Sequence, residues 1–137
     1  MTIKNIRIKI IITALILCAF VAVCDKASAQ DNSRKTIDDL LEHFSRYFSV
    51  SERSEMWFFI IGAIDGCYVR LNGYSIEIYK FDKNDPGQRA ILENIQKTNT
   101  LNVLGMIHPV LINGSFIITS YTGHPEREKI NRIFQEF

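Results

Sequence analysis

The chain is poor in cysteine, histidine and clustered basic residues, and each scarcity argues against a class of function. Its three histidines, His43, His108 and His124, are far apart in sequence, whereas zinc ligands recur at close, regular spacing. The sequence also has no Gly-Lys-Ser/Thr phosphate loop and no Gly-x-Ser-x-Gly nucleophile turn. We therefore predict no cofactor, and we favour a protein without a catalytic centre of its own.

The first 29 residues have the three parts of an export signal. Three basic residues lie within the first nine, an apolar run covers residues 10–23, and residues 27–29 form the small-x-small pattern that signal peptidase cleaves. The run is shorter than the roughly 20 residues that a spanning helix needs, which favours cleavage over a membrane anchor. We expect an exported protein, periplasmic or extracellular, with no membrane span after cleavage. Lipid anchoring through Cys24 is the minor alternative.

Removal of this signal leaves one domain with little net charge. Residues 1–29 contain four of the 16 basic and one of the 15 acidic residues, so residues 30–137 carry 12 basic and 14 acidic residues, net −2. No basic stripe remains, which argues against nucleic acid as a partner. Cys67 is the one cysteine left, and its thiol is either buried or pairs between chains. We divide the chain into a signal peptide (1–29), a flexible leader (30–35) and a single domain (36–137).

The single domain is predicted to be α+β, with two antiparallel β-hairpins forming a small sheet on which helices pack. Apolar residues recur at helical spacing over residues 37–48 and 125–137, and a third helix is predicted from Pro86 to Asn99. Thr36 precedes the first helix as a capping residue, and Asp85 precedes the third in the same role.

Residues 54–64 fit both a helix and a strand. Most of this segment is apolar on every side, so periodicity does not separate a buried helix from a buried strand. We favour a helix that Ser54 caps and that ends at Asp65-Gly66.

The first Asn-Gly pair, Asn72-Gly73, is a strong hairpin signal and fixes a register in which Cys67 faces Ile78. One face of this hairpin is then apolar and includes Cys67. The other face carries two aromatic residues and a charge pair, which are types that anchor interfaces. We predict this second face as the binding site for a protein or a small ligand; the alternative is an ordinary solvated or helix-covered face. Its residues are Tyr68, Arg70, Glu77 and Tyr79.

The second Asn-Gly pair, Asn113-Gly114, joins residues 108–112 to residues 115–121. The later segment is apolar on both faces, which predicts a central strand. Pro109 cannot donate a hydrogen bond to a neighbouring strand, so the earlier segment is predicted to lie at an edge or to carry a bulge.

The best match to a metal-binding motif begins at Asp82. Asp82, Asn84 and Glu93 occupy positions 1, 3 and 12 of a calcium loop. Position 5 is Pro86, which has no side-chain oxygen, and Asp85 followed by proline is also an ordinary helix start. A calcium site at Asp82, Asn84 and Glu93 is therefore kept as an alternative.

Together these features predict a small exported, non-catalytic binding or accessory domain of the cell envelope or exterior. Its partner is expected to be a protein or a small ligand. The alternative is an enzyme or a calcium-binding domain whose site is not legible in linear order. A thiol on the core face, such as that of Cys67, behaves as a small hydrophobic group rather than as a nucleophile.

Overall fold

A computed structural model describes residues 31–137, so the predicted export signal lies outside the described residues. Five strands form one antiparallel sheet in the order β1-β2-β3-β7-β6, and β4 pairs with β5 in a separate two-stranded sheet. The predicted α+β class is confirmed. No helix within residues 31–137 is long and apolar enough to cross a membrane. In chain order the elements are α1 (Ile37–Ser45), β1 (Val50–Glu55), a 3₁₀ helix (Phe58–Ile61), β2 (Asp65–Leu71), β3 (Tyr74–Lys80), α2 (Pro86–Thr98), β4 (Thr100–Val103), β5 (Met106–Pro109), β6 (Leu111–Asn113), β7 (Phe116–Thr119) and α3 (Arg127–Gln135).

Both faces of the five-stranded sheet are covered, so the domain has two apolar cores. On the first face, α1 and α3 pack against the sheet through buried residues such as Phe44 and Phe134. On the second face, the 3₁₀ helix, α2 and the β4–β5 hairpin surround Tyr79 and Ile117. β7 lies inside the sheet with Ile117 in one core and Ile118 in the other, which confirms the predicted central strand.

The helix ends follow the predicted caps. The Thr36 hydroxyl accepts a hydrogen bond from the Asp39 backbone N–H at 3.1 Å, and the Asp39 carboxylate accepts one from the Thr36 backbone N–H. The Asp85 carboxylate accepts a hydrogen bond from the Gln88 backbone N–H at 2.8 Å at the start of α2. Phe137, which follows α3, is buried in the first core.

The register of the first hairpin is confirmed. Leu71 pairs with Tyr74 and Cys67 pairs with Ile78, and the apolar face of this hairpin lies in the first core. Asn72 and Gly73 adopt the left-handed conformation, with φ of 50° and 86°. Asn-Gly is the pair that such a turn favours, which explains why this register is legible from the sequence.

The prediction of a helix over residues 54–64 is wrong. Ser54 lies in the edge strand β1 and pairs with Tyr68, and only Phe58–Ile61 is helical, as a single 3₁₀ turn. Gly62 ends that turn with φ of 76°. The sequence does not reveal this strand, because every residue of β1 after Val50 is exposed. An exposed strand has no alternation of apolar and polar residues that would mark it.

The second hairpin turns one residue later than predicted. Asn113 pairs with Phe116, so the turn residues are Gly114 and Ser115. The side chain of Asn113 is buried and donates a hydrogen bond to the Phe134 carbonyl at 2.6 Å, which holds it in the strand. β6 is an edge strand, as predicted, but Pro109 lies in β5 of the other sheet.

The segment assigned to a flexible leader contacts the domain through Asn32, whose side chain is buried. The Asn32 side-chain amide donates to the Asn113 carbonyl at 3.0 Å, and its side-chain oxygen accepts from the Ser115 backbone N–H at 2.9 Å. Gly114 makes room for it, because a Cβ atom there would lie 2.0 Å from the Asn32 side-chain oxygen.

Candidate functional site

The four residues that the sequence predicts as a binding site lie on the second face of the sheet, but they have different environments there. Arg70 pairs with Glu52 of β1 at 3.0 Å, so its charge is matched within the chain. The Glu77 carboxylate accepts hydrogen bonds from the Tyr79 hydroxyl at 3.1 Å and the Thr119 hydroxyl at 2.6 Å. Arg70 and Glu77 therefore each have a partner inside the domain.

The two tyrosines have different surroundings. Tyr79 is 3% exposed and belongs to the second core, whereas Tyr68 is 41% exposed. Burial, and after it the negative charge of Glu77, raise the pKa of the Tyr79 hydroxyl above its ordinary value. The Tyr79 hydroxyl therefore stays protonated and acts as a hydrogen-bond donor to Glu77.

Tyr68 and Tyr79 both line a groove of about 360 Å³ between the 3₁₀ helix and the β4–β5 hairpin. The groove is mostly apolar, and Glu55 is the one charged residue that lines it. Its volume lies at the lower end of the range for ligand pockets, roughly 300–1,000 Å³. Six residues form most of its wall: Trp57, Ile60, Tyr68, Tyr79, Val103 and Leu104.

An exposed apolar surface flanks this groove on the 3₁₀ segment and on the β4–β5 hairpin. We call this surface the apolar patch, and its side chains are between 40% and 79% exposed. Single exposed apolar residues are ordinary, but a contiguous patch marks an interaction surface. The patch consists of Trp57, Ile60 and Leu104, which line the groove together.

Leu104 is the most exposed residue of the apolar patch and has an unusual backbone conformation. It lies at the tip of the β4–β5 hairpin with φ of 50°, followed by Gly105 with φ of 89°. These angles nearly repeat those of the Asn72-Gly73 turn, where asparagine occupies the same place. A bulky apolar residue rarely adopts this left-handed backbone conformation, so the exposed position of Leu104 has a local conformational cost.

Cys67 has the properties of a structural cysteine. It is 2% exposed and carries no disulfide, which confirms the buried alternative. Burial raises the pKa of its thiol to about 11, although the nearby Arg53 acts in the opposite direction. A cavity of about 490 Å³ lies beside it, but the protonated thiol is a poor nucleophile at neutral pH.

The residues of the calcium alternative make local contacts. The Asp82 carboxylate accepts a hydrogen bond from the Asn84 backbone N–H at 2.8 Å, and Glu93 is exposed on α2. Across residues 31–137, no three His, Cys, Asp or Glu side chains converge in a way that could hold a metal ion. A calcium site that includes Asn84 stays a prediction.

Comparison with known proteins does not assign the chain to a family, because no protein-family model, curated protein or solved structure matches it significantly. The groove and the apolar patch are therefore the features of the molecule that point to a function.

Sequence reasoning found the two tyrosines of the groove and missed the side chains opposite them. The 3₁₀ segment was expected to be buried on every side, yet Trp57 and Phe59 are 76% and 64% exposed. The β4–β5 hairpin was not predicted, because its turn pair is Leu104-Gly105 rather than Asn-Gly. The signal available for it was a glycine between two short apolar runs, which is weak evidence for a hairpin.

Proposed function

We propose that this protein is an exported, non-catalytic binding domain that holds apolar side chains of a protein partner in the groove beside Trp57 and Leu104. The single observation that carries the proposal is the apolar patch, which leaves three large apolar side chains in water along a preformed groove. Burial of each such side chain contributes roughly 1.5–3 kcal/mol, so a partner that covers the patch gains substantial affinity.

The chemistry of the groove supports binding rather than catalysis. Catalysis by side chains needs a nucleophile, a base or an acid with a pKa matched to its task. The hydroxyl of Tyr79 is a poor acid because its pKa is raised, and Glu77 is occupied as a hydrogen-bond acceptor. Export is supported by the pattern of the first 29 residues, in which a positive region, an apolar run and a small-x-small site follow in order.

The proposal is tested by photo-cross-linking in the cells that make the protein. The photoreactive residue p-benzoylphenylalanine replaces Leu104 in one variant and Tyr47 in a control. Tyr47 is 43% exposed and lies beyond the end of α1, on the side of the first core. We expect irradiation to give a discrete protein adduct from position 104 and none from position 47. Equal labelling at both positions, or no adduct from position 104, would contradict the proposal.

A further inference from the structure

We propose that docking of the segment before α1 closes the predicted signal cleavage site, so that the export signal is removed only from chains in which this segment has not yet docked. The inference rests on the export that the proposed function includes, and it adds an order of events. Cleavage after Ala29 comes first, and docking of Asn32 comes second. Three observations lead to it: how Asn32 is held, the shape of the chain around it, and its closeness in sequence to the cleavage site.

Asn32 anchors the segment inside the domain. Its side chain is buried, donates a hydrogen bond to the Asn113 carbonyl at 3.0 Å and accepts one from the Ser115 backbone N–H at 2.9 Å. Both partners belong to the β6–β7 turn, 81 and 83 residues further along the chain. Withdrawing Asn32 breaks both hydrogen bonds, so the docked state dominates in the folded domain.

The chain around Asn32 forms turns instead of an extended strand. The Asp31 carboxylate accepts a hydrogen bond from the Ser33 backbone N–H at 3.1 Å, and the Asn32 carbonyl accepts one from the Lys35 backbone N–H at 3.0 Å. The Lys35 carbonyl accepts a further hydrogen bond from the Lys80 ammonium group. A protease needs its substrate extended through the active site, so this segment must leave its docked conformation before an enzyme can hold it.

The predicted cleavage site is close to the anchor, because Gln30 and Asp31 alone separate it from Asn32. Two residues span about 7 Å when fully extended. Signal peptidase hydrolyses the bond between Ala29 and Gln30 with one water, which leaves a carboxylate on Ala29 and an amino group on Gln30. With Asn32 docked, the folded domain lies too close to this bond for the enzyme to enclose the chain. The cleavage rate therefore follows the fraction of chains in which the segment is open.

Two substitutions release the segment without changing the export signal. Asn32→Ala removes the buried amide, and Gly114→Ala places a Cβ atom where the Asn32 side chain lies. Gly73→Ala is the matched control, because it adds left-handed strain at a turn with no atom within 4 Å of the new Cβ. Phe44→Asp supplies an unfolded chain, since it places a charge in the first core.

The test is cleavage of the purified full chain by signal peptidase in detergent, followed by intact mass. We expect the folded wild-type chain and Gly73→Ala to be cleaved after Ala29 about tenfold more slowly than Phe44→Asp. Asn32→Ala and Gly114→Ala are expected to keep the circular dichroism spectrum of the folded domain and to be cleaved about tenfold faster than the wild type.

Three outcomes overturn the inference. In the first, the folded wild type is cleaved as fast as Phe44→Asp. In the second, Asn32→Ala and Gly114→Ala are cleaved no faster than the wild type. In the third, Gly73→Ala is accelerated as much as Gly114→Ala, because the stability of the domain and not the docking of Asn32 would then set the rate.

The unfolded variant separates the failure of this inference from the failure of the proposed function. If Phe44→Asp is cleaved after Ala29 and the folded wild type is cleaved equally fast, this inference is overturned alone and the predicted export signal stands. If Phe44→Asp is not cleaved after Ala29, the predicted signal cleavage is overturned together with this inference. Binding at the groove is tested independently, by cross-linking from position 104.

Discussion

Leu104 has a backbone conformation that is unfavourable for leucine, with φ of 50°. The left-handed conformation costs a non-glycine residue roughly 1–2 kcal/mol, and asparagine reduces that cost because its short polar side chain bonds locally. At the Asn72-Gly73 turn the chain has the favoured residue, and its side-chain oxygen accepts a hydrogen bond from the Ser49 backbone N–H at 2.8 Å. At the β4–β5 turn the chain has leucine, 79% exposed. The exposed, strained leucine therefore supports the proposed role of the patch in binding a partner.

We therefore expect Leu104→Asn to stabilise the isolated domain by about 1 kcal/mol, because it relieves the left-handed strain without removing a core contact. The free energy of unfolding is measured by urea denaturation of the purified protein. Leu104→Ala is the control: alanine removes a similar apolar surface but keeps the strain, so its stability should stay close to that of the wild type. A loss of stability in Leu104→Asn would show that the leucine side chain supports the fold.

At the scale of elements, the β6–β7 turn is held by a residue far away in sequence. Asn32 binds the backbone of Asn113 and Ser115 across Gly114, where its side chain fills the space that a Cβ atom would need. Lys35 adds a second link, since its ammonium group donates to the carbonyl of Phe137 and lies over that residue's ring. The segment before α1 is thus connected to both the sheet and the end of the chain.

We expect Gly114→Ala to lower the free energy of unfolding by about 3 kcal/mol, since it adds left-handed strain and displaces a buried, hydrogen-bonded side chain. Gly73→Ala is the matched control, with φ of 86° and no atom within 4 Å of the new Cβ. Its expected loss is about 1 kcal/mol, from strain alone. Thermal or urea unfolding of both variants measures the difference, and equal losses would contradict the proposed role of Asn32.

The elements that the sequence predicts well are those whose signals are local. The Asn72-Gly73 hairpin was predicted with its full register, and the start of α2 was predicted from Asp85 and the proline that follows it. β1 could not be predicted, because an edge strand exposed along almost its whole length has no apolar alternation. The shifted β6–β7 turn depends on Asn32, a contact 81 residues away from Asn113. No local pattern encodes such a contact.

At the scale of the whole molecule, the two faces of the sheet explain why the candidate site was only half predicted. The sequence places Tyr68 and Tyr79 on a second, partly polar face, which is correct. It does not indicate that this face is covered by the 3₁₀ helix, α2 and the β4–β5 hairpin. Because these elements cover that face incompletely, a groove remains between Tyr68 and Leu104. The site is thus a product of packing between elements rather than of one motif.

The most direct test of the account uses Trp57, the single tryptophan of the chain, which is 76% exposed in the apolar patch. The measurement is hydroxyl-radical oxidation of Trp57, read by mass spectrometry of the peptide that contains it, in the purified protein and in intact cells that make the protein. Extensive oxidation is predicted for the purified protein, where the patch is free, and protection in the cells, where a protein partner covers the patch. Equal oxidation in both samples would contradict the central claim that this patch is the surface a protein partner occupies.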